Sequence, residues 1–305
     1  MIVLASIIFV LIYLYKNHLF VPLKIFNYFY LFISIVILTL GFFMDAFTIR
    51  LFLKLNDIKL TLKESVCLSG KFILAKYIPG KIGVIIGKAA FIYEKSPVSK
   101  YRSIEIVFVY QFLFLISAAI LSIITLFEYL NIQSANLVYF LPLSIVLVVL
   151  FSFKKSQQMI RFVLGKITKR NFVETYSQKS ILLVVVGTMI CWLLWAFGFW
   201  VMAVSIGIAI SIHAALLFPL AAIIGVIIII SPGGLGVREG VISAGLIFFG
   251  LAKTDSISLS VYSRLWFLFG EIIFFLLAIL TPGISNKNRH EEWHRLSSGI
   301  HSTKK

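Results

Sequence analysis

Residues 79–87 read Pro79-Gly80-Lys81-Ile82-Gly83-Val84-Ile85-Ile86-Gly87, and residues 232–240 read Pro232-Gly233-Gly234-Leu235-Gly236-Val237-Arg238-Glu239-Gly240. Both follow P-G-x-[IL]-G-V-x-x-G, and they stand 153 positions apart, about half the chain. Proline removes a backbone donor and glycine permits a sharp turn, so each block breaks a helix. The 305 residues include only 7 Pro and 19 Gly, so matched Pro and Gly positions weigh more than matched Leu or Ile would. Pro-Gly breaks are common in membrane helices, which leaves coincidence as the competing reading. The flanks favour an internal repeat. Each block follows a long apolar run, a short break (near Ile58 and Ile210) and an apolar arm, and each is followed by a second arm and another long run.

The surrounding composition sets the solvent. The chain is 60% hydrophobic and 13% charged, with a mean hydropathy of +1.03, whereas soluble domains carry about 25% charged residues. This excludes a soluble globular protein, a disordered tail and a nucleic-acid-binding protein, and it implies an integral membrane protein of several helices. Apolar runs cover residues 1–15, 26–47, 104–127, 137–153, 181–209, 213–230, 235–251 and 257–280. The first run is short. It lacks a basic leader and a small-residue cleavage site, so it reads as a membrane helix continuing past a snorkelling Lys16. Cys67 and Cys191 both lie in apolar surroundings, with neither disulfide nor zinc spacing.

The segment around the first block is apolar but interrupted by Lys71, Lys76, Lys81 and Lys88. Pro79-Gly80 splits it into arms reaching about 22 and 18 Å, short of the roughly 30 Å hydrocarbon core. A re-entrant helical hairpin fits better than two spans, provided that protein or a wet cavity covers its broken backbone. The expected fold is therefore all-α and polytopic, with six full spans and two re-entrant hairpins. Its membrane domain is residues 1–283, with halves of about 1–130 and 131–283, followed by a basic tail at 284–305. Runs near 104–127, 137–153 and 181–205 separate the hairpins. An odd number of spans puts the hairpins on opposite sides, which makes an inverted repeat, an architecture common in transporters.

The basic residues test this independently. Residues 50–102 carry 11 Lys/Arg, 154–180 carry 7 and the chain after 281 carries 5, while the alternate connections carry few. The positive-inside tendency then places both termini in the cytoplasm, with the first hairpin entering from inside and the second from outside. It also accounts for most of the +16 net charge without a polyanionic partner.

Pro232-Gly233-Gly234-Leu235-Gly236-Val237-Arg238-Glu239 resembles the lysylphosphatidylglycerol synthase transmembrane-region family of flippase-like membrane proteins. Tyr77-Ile78-Pro79-Gly80-Lys81-Ile82-Gly83 is similar to that family's earlier motif, and the resemblance covers most of residues 1–283. It implies lipid translocation, or a role beside envelope-lipid and polysaccharide synthesis, in a bacterial-type inner membrane. In the namesake members this region flips aminoacylated phosphatidylglycerol and precedes an aminoacyl-transferase domain. No such domain follows the last run here, so lysyl transfer is not expected. A transport or accessory role is expected rather than an enzyme.

The candidate chemistry is anion binding. Pro79, Gly80, Pro232, Gly233 and Gly234 start half-helices whose N-terminal amides attract anions; a plain structural break is the competing reading. Arg238 suits a headgroup phosphate, and Glu239 suits orienting Arg238, contacting a cationic headgroup or carrying a proton, against a structural ion pair. Arg264 and Glu271 stand seven residues apart and share a helix face. Lys76 and Lys81 flank the first break, while Lys71 and Lys88 read as snorkelling. Asp45 reads either as a helix-end residue or as a cavity charge, and Glu105 as a first-turn acid. The spacings Gly83-x-x-x-Gly87 and Gly236-x-x-x-Gly240 suggest close helix packing.

His290-Glu291-Glu292-Trp293-His294 matches a zinc-protease spacing in a polar tail, where chance is the better account. No catalytic residue, metal or cofactor is called for. The expected partner is a membrane lipid with an anionic headgroup, moved through a polar groove between the hairpins. Two other readings stay open: a non-transporting partner of an envelope glycosyltransferase, and a membrane-embedded lipid transferase.

Overall fold

The computed structural model describes residues 25–77, 83–129, 176–228, 234 and 236–281. In this region the chain is helical: α1 Tyr28–Lys54, α2 Leu62–Gly70 with a 3-10 turn Ile73–Tyr77, α3 Gly83–Lys95, α4 Lys100–Tyr129, α5 Gln178–Ser205, α6 Ile212–Ala215, α7 Leu217–Ile227, α8 Val237–Phe248 and α9 Lys253–Leu280. Among the described residues four helices, α1, α4, α5 and α9, are long and apolar enough to cross a membrane. The two further spans expected at 1–15 and 137–153, and the tail after 283, lie outside the described residues.

The elements fall into two quartets of the same order: long helix, first arm, second arm, long helix, the arms being the shorter helical stretches before and after a Pro-Gly block. Their capping hydrogen bonds coincide. At the end of α1, Ile58 N–H donates to Leu53 O (2.9 Å) and Asp57 N–H to Lys54 O (3.3 Å), with Asp57 at φ +62°. At the end of α5, Ile208 N–H donates to Ala203 O (3.0 Å) and Gly207 N–H to Val204 O (3.0 Å), with Gly207 at φ +77°. Both are left-handed closures that satisfy the last carbonyls of a helix. Four residues later each arm begins with a hydroxyl cap. Thr61 Oγ1 accepts from Glu64 N–H while Glu64 Oε2 accepts from Thr61 N–H, a capping box. Ser211 Oγ accepts from Ala214 N–H.

The quartets interlock. α1 packs on α5, and the pair is antiparallel. Asn27 N–H meets Ser205 O at one end (3.1 Å), Trp195 Nε1 donates to Leu38 O midway (3.2 Å), and Gly187 faces Thr48 at the other end. α4 runs parallel to α5, tied by Arg102 to Tyr176 near their starts and by Trp192 Nε1 to Phe114 O (3.0 Å) further along. α9 runs parallel to α1, with Trp266 Nε1 on Ser34 Oγ (3.1 Å), Gly270 against Leu38 and Phe274 stacked on Phe42. The arms are exchanged: α2 packs on α9 of the second quartet, and α7 packs on α4 of the first. Glycines enable the closest approaches. A Cβ on Gly41 would fall 2.2 Å from the Trp195 indole nitrogen, and one on Gly70 would fall 2.4 Å from Ala278 Cβ.

Two sequence expectations change here. Asp45 does not end its helix, because α1 continues to Lys54 and Arg50 Nε is satisfied by Leu60 O (3.0 Å). Glu105 is not a first-turn acid, because α4 begins at Lys100 and its first turn holds no acid; Glu105 pairs with Arg102 at 3.1 Å.

One end of the bundle is basic. The end of α1, the starts of α2, α4 and α5 and the end of α3 bring Lys54, Lys59, Lys63, Lys95, Lys100, Arg102 and Lys179 together. The opposite end, at the starts of α6 and α9, carries Lys253, Asp255 and His213 among the described residues.

Candidate functional site

A cavity of about 530 Å³ lies where the quartets meet. Its wall is largely aromatic and aliphatic, with Phe42, Phe114, Trp192, Trp195 and Phe267 among its residues. The expectation of a polar groove is thus met by an apolar chamber holding a few polar groups: Lys76, Lys88, Arg238, Asp45, Ser69 and Gln111. An apolar wall with sparse polar groups is the usual form of a small-molecule site.

The polar groups come from both quartets. The 3-10 turn after α2 ends at Lys76 and Tyr77, just before the first Pro-Gly block. Lys76 Nζ is paired with Glu271 Oε1 of α9, and Tyr77 OH donates to Glu271 Oε2 at 2.8 Å. Glu271 is fully buried, so these two partners replace the water it gave up. Arg238 sits in the first turn of α8, just after the second Pro-Gly block. Its guanidinium carbon lies 5.0 Å from the Phe218 ring centroid and 5.2 Å from that of Phe267. Lys76 Nζ lies 5.1 Å from the same Phe267 ring. Cations over ring faces are held by the ring quadrupole.

Room for Arg238 is made by two glycines. A Cβ on Gly225 of α7 would fall 2.7 Å from Arg238 Cγ, and one on Gly234, at φ +74°, would fall 3.2 Å from both Cγ and Cδ. Behind this layer Glu239 Oε1 stands 3.6 Å from Arg264 Nε, and the Arg264 guanidinium lies 5.3 Å from the Tyr77 ring. Glu239 therefore faces Arg264 of another helix, rather than its neighbour Arg238. Among the described residues, Arg238 is a cavity cation with no carboxylate partner within ion-pair distance.

A second polar group occupies the same cavity. Asp45 of α1 accepts from Tyr110 OH of α4 at Oδ1 (2.7 Å), and its Oδ2 stands 3.9 Å from Lys88 Nζ of α3. Lys88 is only 6% exposed and does not snorkel to an interface.

The sequence candidates sort as follows. Lys76 and Arg238 reach the cavity wall, while Glu271, Glu239 and Arg264 form the layer around them. Gly234 lies against Arg238. Pro79, Gly80, Lys81, Pro232 and Gly233 lie outside the described residues. Gly87 packs closely, with a Cβ there falling 2.3 Å from the Phe72 ring, whereas Gly236 and Gly240 meet nothing within 4 Å among the described residues. Tyr77, Phe218 and Phe267 were not singled out from sequence, nor was the partnership of Asp45, Lys88 and Tyr110.

A family model described as the lysylphosphatidylglycerol synthase TM region matches residues 1–280. The chain belongs to that family. The match spans both quartets and both Pro-Gly blocks, so family membership and the four apolar helices together identify a multi-pass membrane protein. Comparison with curated proteins and with solved structures gave no match.

Proposed function

We propose that this member of the lysylphosphatidylglycerol synthase TM region family translocates a lipid with an anionic phosphate-bearing headgroup between the leaflets of a bacterial-type inner membrane. One observation carries the reading. Two cations, Lys76 beside the first Pro-Gly block and Arg238 beside the second, meet on one aromatic ring at the wall of one cavity. Burying a phosphate in an apolar chamber costs several kcal/mol or more unless it is paired. Arg238 supplies two parallel donors for bidentate contact, and among the described residues no carboxylate lies within ion-pair distance of it. Lys76 adds a second charge once the headgroup competes with Glu271. The acyl tails stay in lipid while the headgroup crosses.

Alternating access follows from an inverted arrangement of the quartets. That arrangement is supported by the antiparallel packing of the equivalent helices α1 and α5, and by the reciprocal exchange of α2 onto α9 and α7 onto α4. The arms then act as re-entrant hairpins entering from opposite faces. α3 and α8, at 13 and 12 residues, reach only about 20 Å, too short to span. The parallel course of α4 and α5 calls for one return crossing, and the apolar run at 137–153 has the length for it. With the basic end in the cytoplasm, the first hairpin opens inward and the second outward.

The test is reconstitution of the full chain in phosphatidylcholine vesicles carrying a trace of fluorescent short-tail phosphatidylglycerol, with quenching of the outer leaflet over time. Faster loss of the protected pool than in protein-free vesicles, abolished by Arg238→Ala, is the expected result. Equal rates in the two preparations would overturn the reading.

A further inference from the structure

The described mechanism does not use Lys88. Its side chain is nine-tenths buried and lines the cavity, and its ion pair among the described residues is at the outer limit of such contacts. Its one carboxylate neighbour, Asp45 Oδ2, stands 3.9 Å away, and the other Asp45 oxygen is taken by Tyr110 OH at 2.7 Å. The Tyr110 ring lies 5.9 Å from Lys88 Nζ, at the far limit of a cation–π contact. An ammonium carries three donors, and one long contact with a carboxylate oxygen does not fill them. The cavity side is where an acceptor would have to come from.

Lys88 also stands apart from the first pair of cations along the bundle. It is seven residues from the basic end of α3 at Lys95, about 10 Å of helix. Glu271, which marks the level of Lys76, is ten residues from Thr281 at the same end, about 15 Å. Phe267, whose ring both Lys76 and Arg238 approach, is fourteen residues from it, about 21 Å. Lys88 therefore stands nearer the basic end than the Phe267 ring that Lys76 and Arg238 share.

We propose that Lys88 is a second anion-binding residue of this cavity, engaging a phosphate group nearer the basic end before or after it is held by Lys76 and Arg238, with Asp45 as the counterion that the phosphate displaces. This rests on the reading of the cavity as a phosphate-headgroup site and adds to it a second station and a competitor. Asp45 serves two ends. It keeps the Lys88 charge compensated when the station is empty, and its own charge favours release of the bound anion. Tyr110 holds Asp45 in place through either state.

The experiment measures thermal stabilisation of the full-length purified protein by dihexanoyl-phosphatidylglycerol, by dihexanoyl-phosphatidylcholine and by inorganic phosphate. It compares wild type, Lys88→Gln, Lys88→Arg, Asp45→Asn and Arg238→Ala. Stabilisation of wild type by the anionic lipid is expected. Lys88→Gln is expected to weaken apparent affinity at least five-fold, and Lys88→Arg to retain it. Asp45→Asn removes the competitor and is expected to tighten binding several-fold, an outcome that a purely structural Lys88–Asp45 pair does not produce. Stabilisation by inorganic phosphate alone, with the same dependence on Lys88, keeps the anion station and assigns it to the free ion. Unchanged affinity in Lys88→Gln and Asp45→Asn, with loss in Arg238→Ala, would overturn the Lys88 station and leave the translocation reading standing. No preference of wild type for either anionic probe over the phosphatidylcholine would overturn both.

Discussion

Lys76 and Arg238, which come from different quartets of the fold, share Phe267: its ring centroid lies 5.1 Å from the Lys76 ammonium and 5.2 Å from the Arg238 guanidinium carbon. The ring lets two like charges sit near one another in an apolar chamber, because each is attracted to its negative face. Such contacts contribute about 0.5–2 kcal/mol each. Replacing the ring by an aliphatic side chain of similar volume removes the quadrupole and keeps the packing. Phe267→Leu is accordingly expected to slow headgroup translocation about ten-fold with little change in melting temperature, while Phe267→Tyr retains most of the rate. Vesicle translocation rates set against thermal melts of the same preparations check this.

Glu271 links the two quartets by accepting from both Lys76 and Tyr77. Removing one partner of a buried ion pair strands the other, at a cost of about 3–5 kcal/mol, whereas removing both charges together is often neutral. Glu271→Gln is expected to lower the melting temperature clearly. The double variant Lys76→Met/Glu271→Met is expected to recover most of that loss while still failing to translocate lipid. Recovery of stability without recovery of transport would separate the structural role of the pair from its role in binding. A double variant as unstable as the single one would count against the account.

The all-α, apolar character of the bundle is legible in the sequence, and so is the matching order of its described elements, because Gly and hydroxyl caps have strict backbone roles. The breaks expected near Ile58 and Ile210 fall where α1 and α5 end, with left-handed closures at Asp57 and Gly207. The hydroxyl caps stand 150 residues apart (Thr61 and Ser211), and the glycines at the starts of α3 and α8 stand 153 apart (Gly83 and Gly236). Arg238, Glu239 and Glu271 announce themselves as charges in apolar runs. Their pairing does not. Glu239 turns to Arg264 of the next helix and Glu271 to Lys76 from a distant part of the chain, and no spacing rule encodes either meeting. Asp45 carried a usable signal, as the one acid in the apolar run 26–47. Its need for a cation pointed towards a partner such as Lys88. Phe218 and Phe267 carried none, being two among 29 phenylalanines.

Gly225 and Gly234 close on the stem of Arg238 from α7 and from the second Pro-Gly block. A methyl at Gly225 would fall 2.7 Å from Arg238 Cγ, so the arginine must swing off its rings to admit it. Gly225→Ala is expected to reduce translocation nearly as much as Arg238→Ala, with only a modest loss of stability. Gly240→Ala, which meets nothing described within 4 Å, is expected to leave the rate unchanged. Side-by-side vesicle assays of the three variants decide it. Equal rates for Gly225→Ala and wild type would show that the guanidinium need not stay between Phe218 and Phe267.

The antiparallel α1–α5 pair makes a claim about sidedness that can be read without any lipid assay. Lys59 follows the end of α1 at the basic end of the bundle, and Lys253 begins α9 at the other; both are exposed. Cys67 and Cys191, the native thiols, are fully buried and contribute little background. In intact cells, Lys253→Cys is expected to react with a membrane-impermeant maleimide from outside, and Lys59→Cys only after the membrane is opened. The assignment draws on two independent forces, positive charge retained in the cytoplasm and the packing that sets α1 against α5. Labelling of both positions from the same side would separate those forces. It would leave the helix packing intact but deny that the basic end and the opposite end face different compartments, and with it the opposed entry of the proposed hairpins on which alternating access depends.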